Sequence, residues 1–425
     1  MPKSAAGRAE PAARLRPDPR HRILPPEVVA ARIRRGHRGL PARSMRGRRG
    51  FVTALSLLLL LLAAAMAFAD DVAAPRRFAG EQVRVVPFAE GLEHPWSIAF
   101  LPDGRLLVTE REGRLRVVDA SGQLGPPIAG VPQVAARGQG GLLDVALDPA
   151  FASNRLIYLS YSEPRPDGVA TAVARARLSE DLTRLTDLQV IFRQQPAHSG
   201  GNHFGSRLVF APDGMLFVTL GDRFDLMDKA QDLSTTLGKV VRIAPDGAIP
   251  ADNPFRDRPG ARPEIFSYGH RNVQGGAIER TTGRLWTIEH GPRGGDEVNR
   301  PEAGKNYGWP VIGYGRHYSG ARIGEGTRKA GMEQPLFYWD PSIAPSGAAF
   351  YSGDLLPGFK GQLFVGALAG QALVEVKIRD GAVTGEERLP LGKRIRDVRQ
   401  GPDGALWLAT DDTGEILRVV PAAAK

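Results

Sequence analysis

The chain has no cysteine. Disulfides, thiolate metal sites, iron–sulfur clusters and a cysteine nucleophile are therefore excluded, while the redox compartment stays open. Beyond residue 69, almost no segment reads as a long amphipathic helix. Gly-x-Ser-x-Gly, a His/His/carboxylate spacing and a Gly-rich loop opening a helix are all missing. Their absence argues against an α/β-hydrolase elbow, a zinc site and a nucleotide-binding loop. The excess of basic charge is confined to one end. The formal net charge is +10, but residues 1–50 alone carry +11 and the remaining body is close to −1. A near-neutral body has no long-range field to draw in a phosphate backbone, so no nucleic-acid partner is expected.

What is present is globular in balance: 42% hydrophobic and 24% charged residues rule out a disordered chain. At 425 residues the chain exceeds what one compact core usually supports, so it holds two domains or one large fold of repeats. The 51 glycines and 34 prolines suit many tight turns and argue against a helical bundle. At the N-terminal end, Met45-Arg-Gly-Arg-Arg-Gly50 precedes an apolar run from Phe51 to Ala65, followed by Ala67-Phe68-Ala69. That order is a secretory signal peptide over 45–69 with cleavage after Ala69, and it predicts a periplasmic protein. A retained membrane anchor is the runner-up. Residues 1–44 read as a disordered basic extension or a mis-assigned start, and 70–425 as a single domain.

One pattern recurs six times: a short apolar strand, a turn, then a second alternating strand. It appears as Ile98–Thr109, Val145–Ser160, Leu208–Thr219, Gly276–Ile288, Gly347–Gly366 and Val398–Ala409. Three copies carry Pro-Asp-Gly, in which Pro presets φ and Gly accepts a positive φ. The equivalent leucines, Leu106, Leu156, Leu216, Leu285, Leu363 and Leu406, are spaced 60 residues apart on average. Six β-units at that period predict an all-β fold, a six-bladed β-propeller. A pair of β-sandwiches is the weaker alternative, because it offers no reason for one unit to occur six times.

Residues equally distant from a hairpin's turn lie side by side at its open end. His203 and Asp222 flank the third unit in this way. Arg271 and Asn272 pair similarly with Gly291 and Pro292 around the fourth unit. Gln139 precedes the second hairpin, and Arg394 and Arg396 precede the sixth. In a propeller these positions gather on one face, a set suited to an anionic, planar, polar ligand. Glycines around His203 leave room for close approach, whereas His198 reads as an ordinary loop residue. Glu289-His-Gly-Pro-Arg-Gly-Gly-Asp-Glu297 mixes carboxylates with turn carbonyls and suits Ca²⁺ and a solvated acidic turn equally well.

Seven ordered segments carry a family resemblance. They are Leu92-Glu-His-Pro-Trp-Ser-Ile-Ala-Phe100, Gly138-Gln-Gly-Gly-Leu-Leu-Asp144, Gly201-Asn-His-Phe-Gly-Ser-Arg-Leu208, Ser267-Tyr-Gly-His-Arg-Asn272, the Glu289–Asn299 segment, Lys305-Asn-Tyr-Gly-Trp-Pro310 and Arg394-Ile-Arg-Asp-Val398. Over roughly 85–420 the chain resembles the soluble pyrroloquinoline-quinone (PQQ) dependent aldose dehydrogenases, the glucose/sorbosone dehydrogenase family. The resemblance implies a six-bladed propeller that oxidises an aldose to its lactone using PQQ and Ca²⁺. It implies His203 as general base, Asp222 as its orienting partner and Arg271 near the quinone oxygens. It implies cofactor contacts at Gln139, Asn272, Tyr318, the Ala367-Leu368-Ala369 turn and Arg394-Ile395-Arg396. Carbonyls of Gly291 and Pro292 would hold one Ca²⁺, and Glu297 with Tyr307 would fall at another. Where related sequences often carry a lysine, this chain has Ala367-Leu-Ala-Gly370. The expected partners are an aldose and an external acceptor, a quinone or redox protein, with the chain a monomer or homodimer. A cofactor-free sugar- or protein-binding propeller is the competing reading, and the joint presence of His203, Asp222, Arg271 and Arg394 argues against it. A Ca²⁺-dependent lactonase on the same architecture would call for a ring of carboxylates and amides rather than arginines.

Overall fold

The structure, a computed structural model, describes residues 74–422. The expected leader, with its cleavage point after Ala69, lies outside the described residues. Among those described, six antiparallel sheets account for the strands. Their first strands are Pro95–Phe100, Leu142–Leu147, Leu208–Phe210, Val273–Glu279, Pro345–Phe350 and Ile395–Gln400. Each packs against the next, and the last packs against the first, so the six close a ring. The expected six-bladed propeller is the fold observed.

Each predicted hairpin is the inner strand pair of one blade. Phe100 pairs with Leu106, Phe210 with Leu216, Ile278 with Leu285, Phe350 with Leu363 and Gln400 with Leu406. These five leucines are buried, while Leu156 is half-buried at the rim of its cluster. Burying a leucine fully is worth about 1.5–3 kcal/mol, so the repeat marks where each blade grips its neighbour. The hydrophobic core is divided accordingly. Six clusters lie one between each pair of adjacent blades, from Leu107 with Val145 round to Ile98 with Trp407.

The sixth blade is built from both ends of the described chain. Ile395–Gln400, Leu406–Thr410 and Ile416–Pro421 are joined by Glu81–Ala89 and then Arg76–Phe78. Val85 pairs with Val419 and Arg84 with Val420, so main-chain hydrogen bonds fasten the ring. This closure removes the open edge that a last blade would otherwise present.

At the axis the inner strands meet through charge rather than hydrocarbon. Buried Arg207 reaches Asp144 at 2.9 Å and Asp397 at 3.1 Å. Arg399 bridges the same two carboxylates, each at 2.9 Å. Ser97 Oγ donates to Asp144, and the backbone N–H groups of Ile98 and Leu208 donate to Asp397 and Asp144. Two guanidiniums and two carboxylates from three blades thus alternate in a neutral node, joined by Ser97 and Ile98 of a fourth. Gly347 belongs to the same contact: a Cβ there would collide with Asp397.

Arg207→Met should leave both carboxylates short of a partner in a buried site. Removing one member of a buried pair costs about 3–5 kcal/mol. Urea denaturation should show that loss; an unchanged midpoint would mean that Arg399 alone suffices.

Candidate active site

The loops at the open ends of the inner hairpins carry the polar residues expected there. His203 lies in the loop entering Leu208–Phe210, and Asp222 follows Leu216–Thr219. His203 adopts φ +53°, and the Gly221 position has no room for a Cβ against the His203 carbonyl. The loop therefore folds tightly back on its hairpin. His203 Nδ1 lies 2.6 Å from Asp222 Oδ1. A carboxylate only accepts, so Nδ1 carries the shared proton and Nε2 keeps its lone pair.

Asp222 is held on every side. Phe224 N donates to Oδ1 at 2.8 Å and Trp309 Nε1 donates to Oδ2 at 2.7 Å. Its own backbone N–H donates to the Arg271 carbonyl at 2.8 Å. Burial pushes the Asp222 pKa upward, but the His203 bond and the His203 and Arg271 charges outweigh it, leaving the group below the usual carboxylate range. For His203, burial is the leading cause and lowers the pKa; Arg271 and Arg223 add to it against the pull of Asp222. At neutral pH the pair is a carboxylate beside a neutral imidazole, able to take a proton at Nε2.

Arg271 lies beside this pair. Its Nη1 donates to the His290 carbonyl at 3.1 Å and the Gly291 carbonyl at 2.5 Å, and its guanidinium lies 5.4 Å from the centre of the Trp309 ring. Glu289 fixes its backbone N–H at 3.1 Å. A cavity of about 240 Å³ opens here, lined among others by His203, Asp222, Arg271, Pro292, Trp309 and Tyr318. Tyr318 is exposed at its mouth and stacks on Phe224, with centroids 6.3 Å apart.

The remaining expected residues fall into other groups. Gln139 Oε1 accepts the His203 N–H at 2.9 Å and Asn272 Oδ1 accepts the Gly205 N–H at 3.1 Å, so both brace the loop. Asn272 Nδ2 is left buried without a partner. Arg394 and Arg396 converge on Asp411, each at 3.5 Å. Arg394 Nη1 also reaches the Leu368 carbonyl at 3.4 Å, beside Ala367 and Ala369. Ile395 is core: its side chain is buried and its carbonyl accepts from Ser346. His198, read as an ordinary loop residue, lies 3.1 Å from Asp225.

Glu297 and Tyr307 belong to a third group. Glu297 faces Glu289 across the strand pair, and burial followed by the Glu289 charge pushes its pKa up to about 8. Tyr307 donates to the Arg300 carbonyl at 2.6 Å, and its ring stacks on His270, which lies 2.8 Å from Glu289. Among the described residues no cluster of three or more His, Cys, Asp or Glu could hold a metal. A cation would have to rest on carbonyls and paired carboxylates, the donor chemistry of Ca²⁺.

Trp309 is the site residue that hairpin symmetry does not find. It lies on the long excursion between Asp296–Asn299 and Phe337–Trp339, 87 residues from the carboxylate it serves. A tryptophan beside a glycine and a proline gave the only signal.

Residues 92–418 match the Glucose / Sorbosone dehydrogenase family. Aldose sugar dehydrogenase YliI of Escherichia coli (strain K12) is 51% identical over 346 residues, covering 80% of this chain and 93% of that protein. The crystal structure of the soluble aldose sugar dehydrogenase from Escherichia coli in the apo-form matches with a TM-score of 0.78 at 49% identity, over 80% of this chain and 99% of that one. The PQQ-bound form of aldose sugar dehydrogenase from Streptomyces coelicolor matches with a TM-score of 0.68 at 32% identity, over 82% and 99%. Fold and relatives together define a β-propeller oxidoreductase. The chain belongs to the glucose/sorbosone dehydrogenase family.

Trp309→Phe removes the donor to Asp222 Oδ2 and concentrates that carboxylate's charge on His203. The His203 pKa should rise, with a stability loss of about 1–3 kcal/mol for the unpartnered oxygen. An NMR titration of the imidazole reads the direction; an unmoved or lowered pKa would show that Trp309 is packing only.

Proposed function

We propose that this protein oxidises aldose sugars to lactones with PQQ and Ca²⁺, and passes the electrons to an external acceptor. The observation that carries the reading is the buried Asp222–His203 pair opening onto a cavity with Arg271. Unspent donors favour an anionic, acceptor-rich cofactor. Asn272 Nδ2 and Arg396 Nε are both buried without partners, and buried donors normally find one. Arg271, Asn272, Arg394 and Arg396 would hold it, with Tyr318 at the mouth and Gln139 bracing the catalytic loop. When bound, PQQ supplies the two-electron acceptor for the hydride that leaves the anomeric carbon.

His203 supplies the proton transfer. Its neutral Nε2 takes the proton of the anomeric hydroxyl as the carbonyl of the lactone forms. Asp222 keeps the imidazole in the tautomer that presents that lone pair and offsets the positive charge the ring acquires. Arg271 provides a fixed cation where negative charge develops, at no reorganisation cost. The ring of Tyr318 against Phe224 gives an apolar rim that limits water beside the reacting carbon. The carbonyls of Gly291 and Pro292 are candidate Ca²⁺ ligands, and Glu297 with Tyr307 marks a second place for that ion. The Gly291 carbonyl is also within reach of Arg271, so a cation there would share it with the guanidinium.

Steady-state kinetics of protein reconstituted with PQQ and Ca²⁺ provide the test. His203→Ala should lower kcat by ~10²–10⁴, the usual contribution of a positioned base, while PQQ binding persists. Asp222→Asn should be milder, because an amide still meets the ring. Since burial depresses the His203 pKa, the acid limb of kcat/KM should lie below ~6.5, and activity should be lost as the pH falls through it. Reconstitution in excess chelator should fail. Near-parental kcat in the His203→Ala holoenzyme would assign the base elsewhere, and chelator-resistant assembly would remove Ca²⁺.

Export follows from the basic, apolar and small-residue order of 45–69. Among the described residues no helix is long and apolar enough to cross a membrane. N-terminal sequencing should read Asp70 first in the mature protein; a retained Met1 in the cytosolic fraction would contradict it.

A further inference from the structure

The region around Asp411 holds more positive charge than the protein neutralises. Arg394 and Arg396 face this carboxylate, and Arg111 is tied to the same corner: its backbone N–H donates to the His94 carbonyl at 3.2 Å, and the His94 ring lies 3.1 Å from the Asp411 carbonyl. Arg394 and Arg396 sit 3.5 Å from the Asp411 carboxylate, longer than charge-assisted hydrogen bonds usually run. Arg111 follows the strand Leu106–Glu110 on the first blade, and its Nη1 donates to the Gly138 carbonyl at 3.0 Å. Its Nε is buried without a partner, as is Arg396 Nε.

Of the neighbouring carboxylates, Glu110 is ion-paired elsewhere, and Asp412 meets only a backbone group. Glu110 lies 2.6 Å from Arg114, and Asp412 Oδ1 accepts the Arg394 N–H at 3.1 Å. The adjacent Ala367–Ala369 turn offers carbonyls and no charge. Among the described residues, Asp411 is thus the carboxylate in ion-pair contact with Arg394 and Arg396, and no ion pair engages Arg111, where the first and sixth blades meet. Arg396 is buried and Arg394 is 39% exposed, so the cluster is open on one side, and the buried, unpartnered Nε atoms of Arg111 and Arg396 are donors left for an anion that binds there. Planar forks from three directions suit a ligand with several carboxylates.

We propose that Arg111 is a cofactor-binding residue, which with Arg394 and Arg396 grips the carboxylate end of PQQ. This rests on the PQQ reading above. The Gly138 contact gives Arg111 a second tie, to the loop of Gln139, so binding at the cluster braces the segment that supports His203.

The test is a titration of apo-protein with PQQ and with its trimethyl ester, followed by absorbance and by quenching of intrinsic fluorescence, without substrate. The parent should prefer PQQ over the ester. Arg111→Gln, which retains a donor for Gly138, should bind PQQ about tenfold to hundredfold more weakly and lose most of that preference. Arg111→Lys should keep the charge and fall between. Parental PQQ affinity in Arg111→Gln overturns the assignment, as does an equal weakening toward PQQ and ester, which would mean that Arg111 only holds the Gly138 loop. A parent protein that binds neither compound overturns the PQQ reading itself.

Discussion

Arg207 carries its guanidinium to the propeller axis, where Asp144 and Asp397 meet it from two other blades and Arg399 completes the square. Hydrocarbon could not do the same work there. Six inner strands converge with their backbone groups partly unpaired, and carboxylates satisfy the N–H groups of Ile98 and Leu208 while binding the arginines. The node also extends toward Arg396. Arg207 Nε donates to the Gln274 carbonyl, and the Gln274 side chain accepts from Arg396. The lock of the ring thus continues through Gln274 to Arg396 as one hydrogen-bonded structure.

The His203–Asp222 pair sits on strained backbone. His203, Arg223 and Phe224 all lie at positive φ. Non-glycine residues in that region cost of order 1–3 kcal/mol each and persist only where their surroundings over-determine them. Here the surroundings are identifiable: Gln139 on the His203 N–H, Asp222 on the Phe224 N–H and Trp309 on the far oxygen of Asp222. Each partner comes from a different stretch of chain. The imidazole is thereby fixed before any ligand arrives, which is what a proton acceptor working in a fixed geometry requires.

The blades were legible because turn chemistry and period-two burial are local. Pro-Asp-Gly locates a turn, and distance from the turn then brings His203 beside Asp222. The same arithmetic placed Arg271 near Gly291. It brought Gln139 and Asn272 to the same face, but not the bonds by which their side-chain oxygens brace the His203 loop, because those depend on blade-to-blade packing. Trp309 and Arg111 were given no role for a related reason. One sits on an irregular excursion, and the other lies in a run of mixed charges, Glu110-Arg-Glu-Gly-Arg114, that reads as a solvated turn. The pairing of Glu81–Ala89 with Ile416–Pro421 was equally hidden, since neither strand is part of a hairpin with the other.

That last pairing bears on how the protein is made. The blades between Pro95 and Pro390 are each built from neighbouring segments and can form as the chain lengthens. The sixth cannot, because Val85 waits for Val419. Closing so long a loop is not prohibitive, since each doubling of length adds only about 0.6 kcal/mol. It does fix an order of events: until the final strand is synthesised, the chain is an unclosed arc with one raw edge. An arc that cannot lock before that strand appears is still threadable when the first five blades are complete.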